Sequence, residues 1–358
     1  MNKKLNLLQV YRGIAAILVV FSHGDRILSR QFDRNTLLHI FHFGWIGVDF
    51  FFVLSGFIIF YIHQYDIGKR NKLKAFITKR FIRIYPLYWI VLASKILASI
   101  FTNYKDIIPQ TGAGEVLKAF LLLPQDRTIL NTNFIGVSWT LSYEIFFYCL
   151  FAGLILFDTK ICRAIIVAWI TGVVLNLFNL LPIGNNFLLK FIFDEHNLEF
   201  ILGCLAAYTI SKSKFKFKQL LIYTSLFLLV LSVINTKYGE FDVSGIPSLI
   251  SYGIPFTLLI IGSVYLEMSN KVNIPLILIY LGDASYSIYL THGFFLSNIS
   301  KILDALLRKT EVLYTIINFN IITFITIVIA VAMGASIHTY IEKPLIINLR
   351  NKVFAKIT

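Results

Sequence analysis

Residues 9–26 read QVYRGIAAILVVFSHGDR, an apolar run with Arg12 near one end and His23 near the other. The run is long enough to cross a bilayer, and an ionisable side chain inside a spanning helix faces a cavity or a partner rather than lipid. On a helix of ~100° and ~1.5 Å per residue, eleven steps return to nearly the same face, roughly 16 Å further along. Arg12 and His23 therefore look into the same space at two depths. This spacing predicts a membrane helix that carries polar chemistry on one face.

The rest of the chain extends that reading. It has 358 residues, a mean hydropathy of +0.74, 57% apolar residues and only 15% charged ones. Soluble domains carry about a quarter charged residues, so the composition is that of an integral membrane protein. Segments of membrane length fall at 7–23, 44–63, 84–101, 138–157, 164–181, 198–210, 220–235, 247–266, 277–298 and 315–337. The expected fold is all-α and polytopic, with about ten transmembrane helices in one domain over 1–358 and no appended soluble domain. The sixth span is short and is expected to be broken or tilted. Segment 116–123 is too short to cross and reads as a surface or re-entrant helix. The first span lacks the small-residue pattern of a cleavage site. Cys149, Cys162 and Cys204 show neither disulfide nor zinc spacing and read as free packed thiols.

The formal charge of +14 is distributed as membrane topology requires. With the N-terminus placed in the cytoplasm, inside segments hold 20 Lys and Arg against 11 in outside loops. This excess favours N- and C-termini on the cytoplasmic side. The basic charge belongs to topology and lipid headgroups rather than to nucleic acid. The loop GKRNKLKAFITKRFIR (68–83) concentrates it, and on pattern alone it reads as a topological signal before a binding surface for a cytosolic polyanion.

Ionisable residues within spans are Arg12, His23, Asp49, Lys95, Glu144, Glu199, Asp283 and His292. Alternating topology puts His23, Asp49 in GWIGVDFFFVLSGF (44–57), Glu144 in VSWTLSYEIFFY (137–148) and His292 in LGDASYSIYLTHGF (281–294) in the outer half. Arg80 and Arg83 in KRFIRIYPLYW (79–89) sit at the inner mouth of span three, level with the base of the Arg12 helix. The chain thus predicts an inner cationic layer and an outer layer of histidine and carboxylates. A histidine oriented by a carboxylate suits proton abstraction near neutral pH. Ser55, Gly56 and Ser285 read as small residues that let helices approach. His39 and His42 read as interfacial anchors, and no metal is assigned.

These motifs, in order from residue 8 to about 346 and closing on YIEKPL (340–345), resemble the acyltransferase-3 family of membrane O-acyltransferases. The stretch WTLSYEIFFY is most similar to the exopolysaccharide and O-antigen acetylase branch, in its stand-alone form. The resemblance implies transfer of an acyl group, usually acetyl, from cytosolic acetyl-CoA to a sugar hydroxyl across the bacterial inner membrane. By position it implies His23 as the catalytic histidine, with Glu144 and Asp49 as further catalytic candidates. It implies Arg80 and Arg83 as ligands of the CoA donor and Arg12 as the motif partner of His23; Arg12 is also a candidate donor contact, with a purely helix-spacing role left open. Trp139, Ser142, Tyr289 and His292 are candidate helpers or substrate contacts. The implied partners are an acyl-CoA, a lipid-linked or polymeric glycan acceptor and membrane lipid. Two alternatives stay open at this point: a transporter or flippase of a glycan or small anion, and the same chemistry with succinyl-CoA or another donor. Direct transfer and an acyl-histidine intermediate are likewise both open.

Overall fold

The structure is a computed structural model that describes residues 5–34, 37–101, 107–213, 216–238, 248–269, 272–309 and 318–354. Among the described residues it is helical, with no strand. In chain order the helices are α1 (Asn6–Phe32), a 3-10 segment (Leu37–Ile46), α2 (Gly47–His63), α3 (Leu73–Phe101), α4 (Ile107–Leu121), α5 (Arg127–Asn133), α6 (Ser138–Leu156), α7 (Thr159–Leu177) and α8 (Phe187–Ile192). There follow α9 (His196–Lys212), α10 (Lys218–Tyr238), a π turn (Leu249–Gly253) leading into α11 (Ile254–Ser269), α12 (Leu276–Asp283), α13 (Ser285–Leu307), α14 (Phe319–Ile337), a second π turn (His338–Glu342) and α15 (Lys343–Phe354).

The chain folds as two compact units. Unit 1 comprises 1–9, 48–78 and 143–275, and unit 2 comprises 10–47, 79–142 and 276–358. In unit 1, α2 and α9 meet backbone to backbone. A Cβ on Gly56 would lie 2.0 Å from the Phe200 carbonyl oxygen, and one on Gly203 would lie 1.9 Å from that of Val53. Glycine is required at both positions, because only it lets two helices touch at this distance. Aromatic rings fill the space beside this contact, with Phe147 stacked on Phe200 at 3.7 Å between centroids. The carboxylate of Glu267 accepts hydrogen bonds from the amides of Asn6 and Leu7 at 2.7 and 3.0 Å. It thereby satisfies donors that the first turn of α1 leaves open and sets a negative charge against the helix's positive end.

Unit 2 is built on α1, α13 and α14. A Cβ on Gly13 would lie 3.0 Å from the Gly282 nitrogen, His23 meets His292, and Gln31 meets Asp304. The numbers rise together, so α1 and α13 run parallel. Leu296 and Ile327 both pack at Gly24, while Ile288 packs at Gly334, so α14 runs antiparallel to α13.

Eight helices among the described residues are long and apolar enough to cross a membrane. Six of them lie between α1 and α13 in the chain. Helix α9, at 17 residues, reaches about 25 Å. The eight long apolar helices make the protein an integral, polytopic membrane protein. Three boundaries differ from the sequence reading. Helix α1 continues past His23 to Phe32, because polar residues after the apolar run still favour helix. Helix α3 begins at Leu73, so Arg80 and Arg83 stand on the helix and not in a loop before it. Helix α9 is short but unbroken. The ninth span is the interrupted one, with a turn at Ala284 separating α12 from α13. Of the 116–123 segment, residues 116–121 lie on α4, which is kinked at Gly112 (φ +69°), and 122–123 follow its end.

Candidate active site

In unit 2 the two histidines from opposite ends of the sequence meet. His23 Nδ1 lies 2.8 Å from His292 Nε2, and His292 Nδ1 lies 2.6 Å from the Tyr289 carbonyl oxygen. A carbonyl only accepts, so His292 Nδ1 must carry the proton and donate it. The neutral His292 Nε2 is then an acceptor, and His23 Nδ1–H donates to it. This chain leaves the lone pair of His23 on Nε2. His292 is fully buried, whereas His23 is half-buried. The arrangement is a base held in one tautomer by a second imidazole, which is itself held by the backbone.

Tyr289 ties the pair to α6. Its hydroxyl lies 3.1 Å from Thr140 Oγ1, which donates to the Val137 carbonyl at 2.9 Å. Thr140 must therefore accept, and the Tyr289 hydroxyl donates. Trp139, the neighbour of Thr140, has the Arg127 guanidinium 3.7 Å above its ring. Ser142 Oγ is buried, with its nearest acceptors, the Leu123 and Ser138 carbonyls, each 3.5 Å away.

One and a half turns below His292 along α13 lies a second cluster. Glu342 is fully buried. It accepts from Arg83 Nη1, Ser287 Oγ and His338 Nδ1, each at 2.7 Å. The π turn at 338–342 brings His338 and Glu342 onto one side. The Arg83 guanidinium lies 5.3 Å from the centroid of the Tyr286 ring, whose hydroxyl donates to the Ile84 carbonyl at 2.9 Å. Arg80 stands three residues before Arg83 on the same helix face. Arg12 stands where α1 approaches Leu281 and Gly282. From Ser287 to His292 is five residues, roughly 7.5 Å of helix rise.

The two carboxylates of the outer layer belong to unit 1. Glu144 accepts from Ser55 Oγ at 3.4 Å and from the Tyr148 hydroxyl. The buried carboxyl of Asp49 lies against that of Glu199, also buried. Asp49 and Gly56, seven residues apart, share one face of α2; that face meets α9, at Glu199 and Phe200 respectively. His42 bonds through its carbonyl to Ser22 Oγ at 3.0 Å, and the side chain of His39 lies outside the described residues.

Sequence reasoning missed Glu342, His338, Ser287 and Thr140. The available signal was the i, i+4 spacing of His338 and Glu342 inside the motif that ends the last apolar run. For Ser287 and Thr140 no pattern distinguished them from other small polar residues of spans.

Residues 6–338 match the family model described as an acyltransferase domain. The chain is 30% identical over 288 residues to the exopolysaccharide production protein ExoZ of Rhizobium meliloti (strain 1021), covering 74% of this chain and 80% of that protein. It is 32% identical over 148 residues to acyltransferase MdmB of Streptomyces mycarofaciens, covering 39% of this chain and 36% of that protein. Protein 2 in the picA locus of Rhizobium radiobacter is 30% identical over 156 residues, covering 39% of this chain and 76% of that protein. No solved structure matches the chain.

Proposed function

Since the chain belongs to the acyltransferase family whose domain model matches residues 6–338, we propose that it moves an acetyl group from cytosolic acetyl-CoA to a sugar hydroxyl of an exported or cell-surface polysaccharide. The single observation that carries the chemistry is the hydrogen-bonded chain from His23 Nδ1 through His292 to the Tyr289 carbonyl. It supports a base at His23 Nε2. The similarity to an exopolysaccharide production protein supports the acceptor class. The protein lies in the bacterial inner membrane with both termini cytoplasmic, in keeping with the distribution of Lys and Arg.

In this proposal the sugar hydroxyl attacks the thioester carbonyl while His23 Nε2 takes its proton. The imidazolium so formed keeps its Nδ1–H on His292, which stabilises the new charge as the third member of a catalytic triad does. The tetrahedral intermediate collapses, the C–S bond breaks, and His23 Nε2–H returns the proton to the departing sulfur. No net proton is taken up or released. Transfer is direct, without an acyl-histidine. Arg12, Arg80 and Arg83 serve the phosphates of CoA, for which guanidinium groups offer bidentate contacts. Trp139 and Ser142 line the acceptor side. Asp49 and Glu144 are carboxyls whose removal lowers transfer, with no proton step assigned to them.

The test is transfer of labelled acetyl from acetyl-CoA to glycan in membranes holding the wild type or His23→Ala. Transfer should be lost in the variant, and surface glycans should lose one acetyl mass. Full acetylation by His23→Ala would overturn the reading. A quenched-flow search that captured an acetyl-enzyme would replace direct transfer with a two-step route.

A further inference from the structure

Arg83 is held on two sides. Its Nη1 edge is spent on Glu342 at 2.7 Å, and its plane lies against Tyr286. The Arg83 side chain stays 27% exposed while that of Glu342 is 0% exposed. The pair therefore presents the cation outward and keeps the carboxylate in. A carboxylate buried at membrane depth must be compensated on several sides, and Glu342 is, from three separate elements: α3, α13 and the π turn. A planar guanidinium held at one edge and against one ring has a fixed orientation, which suits a ligand that reads direction.

From this we infer that Glu342, held by Ser287 and His338, is the positioning residue that aims Arg83 at the anionic end of the acyl donor. The inference rests on the reading of Arg83 as a donor ligand. Glu342 touches no reacting atom. Its loss acts on donor affinity and leaves the proton chemistry at His23 in place. The guanidinium of Arg83, released from Glu342, samples other orientations, and its contact with the anionic end of the donor weakens.

The experiment is a double-mutant cycle on the purified full chain in lipid nanodiscs, reading equilibrium binding of radiolabelled CoA together with KM and kcat for acetyl-CoA. Glu342→Gln should weaken CoA binding and raise KM by about tenfold, as expected for loss of a charged hydrogen bond, with kcat within twofold. Arg83→Gln should lose as much or more, and the double variant no more than Arg83→Gln alone. Unchanged binding in Glu342→Gln, or losses that multiply in the double variant, would overturn the proposal. Should Glu342→Gln fail to fold, Ser287→Ala replaces it in the same cycle, with a smaller loss in the same direction. His23→Ala, measured alongside, should bind CoA as the wild type does while failing to transfer. If it transfers, the reading of the site falls. If it does not, and the cycle is multiplicative, only the role of Glu342 falls.

Discussion

His292→Ala removes the acceptor for His23 Nδ1–H without touching the proposed base. In the ground state the lost bond joins two neutral imidazoles, and such bonds contribute about 0.5–1.5 kcal/mol. In the transition state His23 is protonated on both nitrogens, and its bond to His292 becomes one from a charged donor, contributing about 1.5–3 kcal/mol. The ground-state bond is lost as well, so the barrier rises only by the difference between the two, about 1–1.5 kcal/mol. Each ~1.4 kcal/mol is a factor of ten in rate, so kcat should drop by roughly five- to fifteenfold with KM for acetyl-CoA little changed. The fully buried ring leaves a cavity in alanine, so a second variant is needed. His292→Gln sets an amide oxygen near the position of Nε2 and should recover most of the rate. The assay is acetyl transfer to glycan at saturating donor in reconstituted membranes, with thermal melting as control. A His292→Ala enzyme within twofold of wild type at normal melting temperature would refute the tautomer argument.

Other outcomes follow from the same geometry. Gly203→Ala would drive a Cβ to 1.9 Å from the Val53 carbonyl oxygen and 2.6 Å from the Phe57 nitrogen, both backbone atoms. It should destabilise by at least the ~1–3 kcal/mol of an overpacked core, and an unchanged melting temperature in detergent would contradict the α2–α9 contact. Arg12→Lys keeps the charge but not the fork, so a raised KM for acetyl-CoA with normal folding is expected; an unchanged KM would remove Arg12 from the donor site. Asp49→Asn keeps the size of the group and can donate an amide hydrogen to the neighbouring buried Glu199 carboxyl. The variant should fold as wild type, and loss of monodisperse protein would argue against this contact.

Much of this molecule was legible in the sequence because a membrane makes depth readable. Apolar length marked the eight helices long enough to cross among the described residues, and the depth ranking put His23 with His292, which meet at 2.8 Å. Gly56 was readable as a packing residue from its small size in an apolar run. What depth cannot give is adjacency. His23 and His292 are separated by 269 positions, Arg83 and Glu342 by 259, and no local period connects them. Glu342 was also hidden by its setting: at the end of the last apolar run it counted as the start of a cytoplasmic tail. Glu342 lies in the π turn, buried beside His338.

The two clusters are joined through α13. Ser287 on this helix holds the carboxylate that grips Arg83, and His292, five residues on, holds the tautomer of His23. The helix thereby sets these two contacts roughly 7.5 Å apart along its axis. Under the proposed function the groups that meet the ligand come from separate elements, α3 for Arg83 and α1 for His23, and α13 aligns both. This division makes a kinetic signature. Removing the Ser287 hydroxyl should move the donor's KM and leave kcat, whereas removing the His292 ring should move kcat and leave KM. If each substitution moved both parameters together, α13 would be acting as a packing element and the spacing along it would carry no mechanistic meaning.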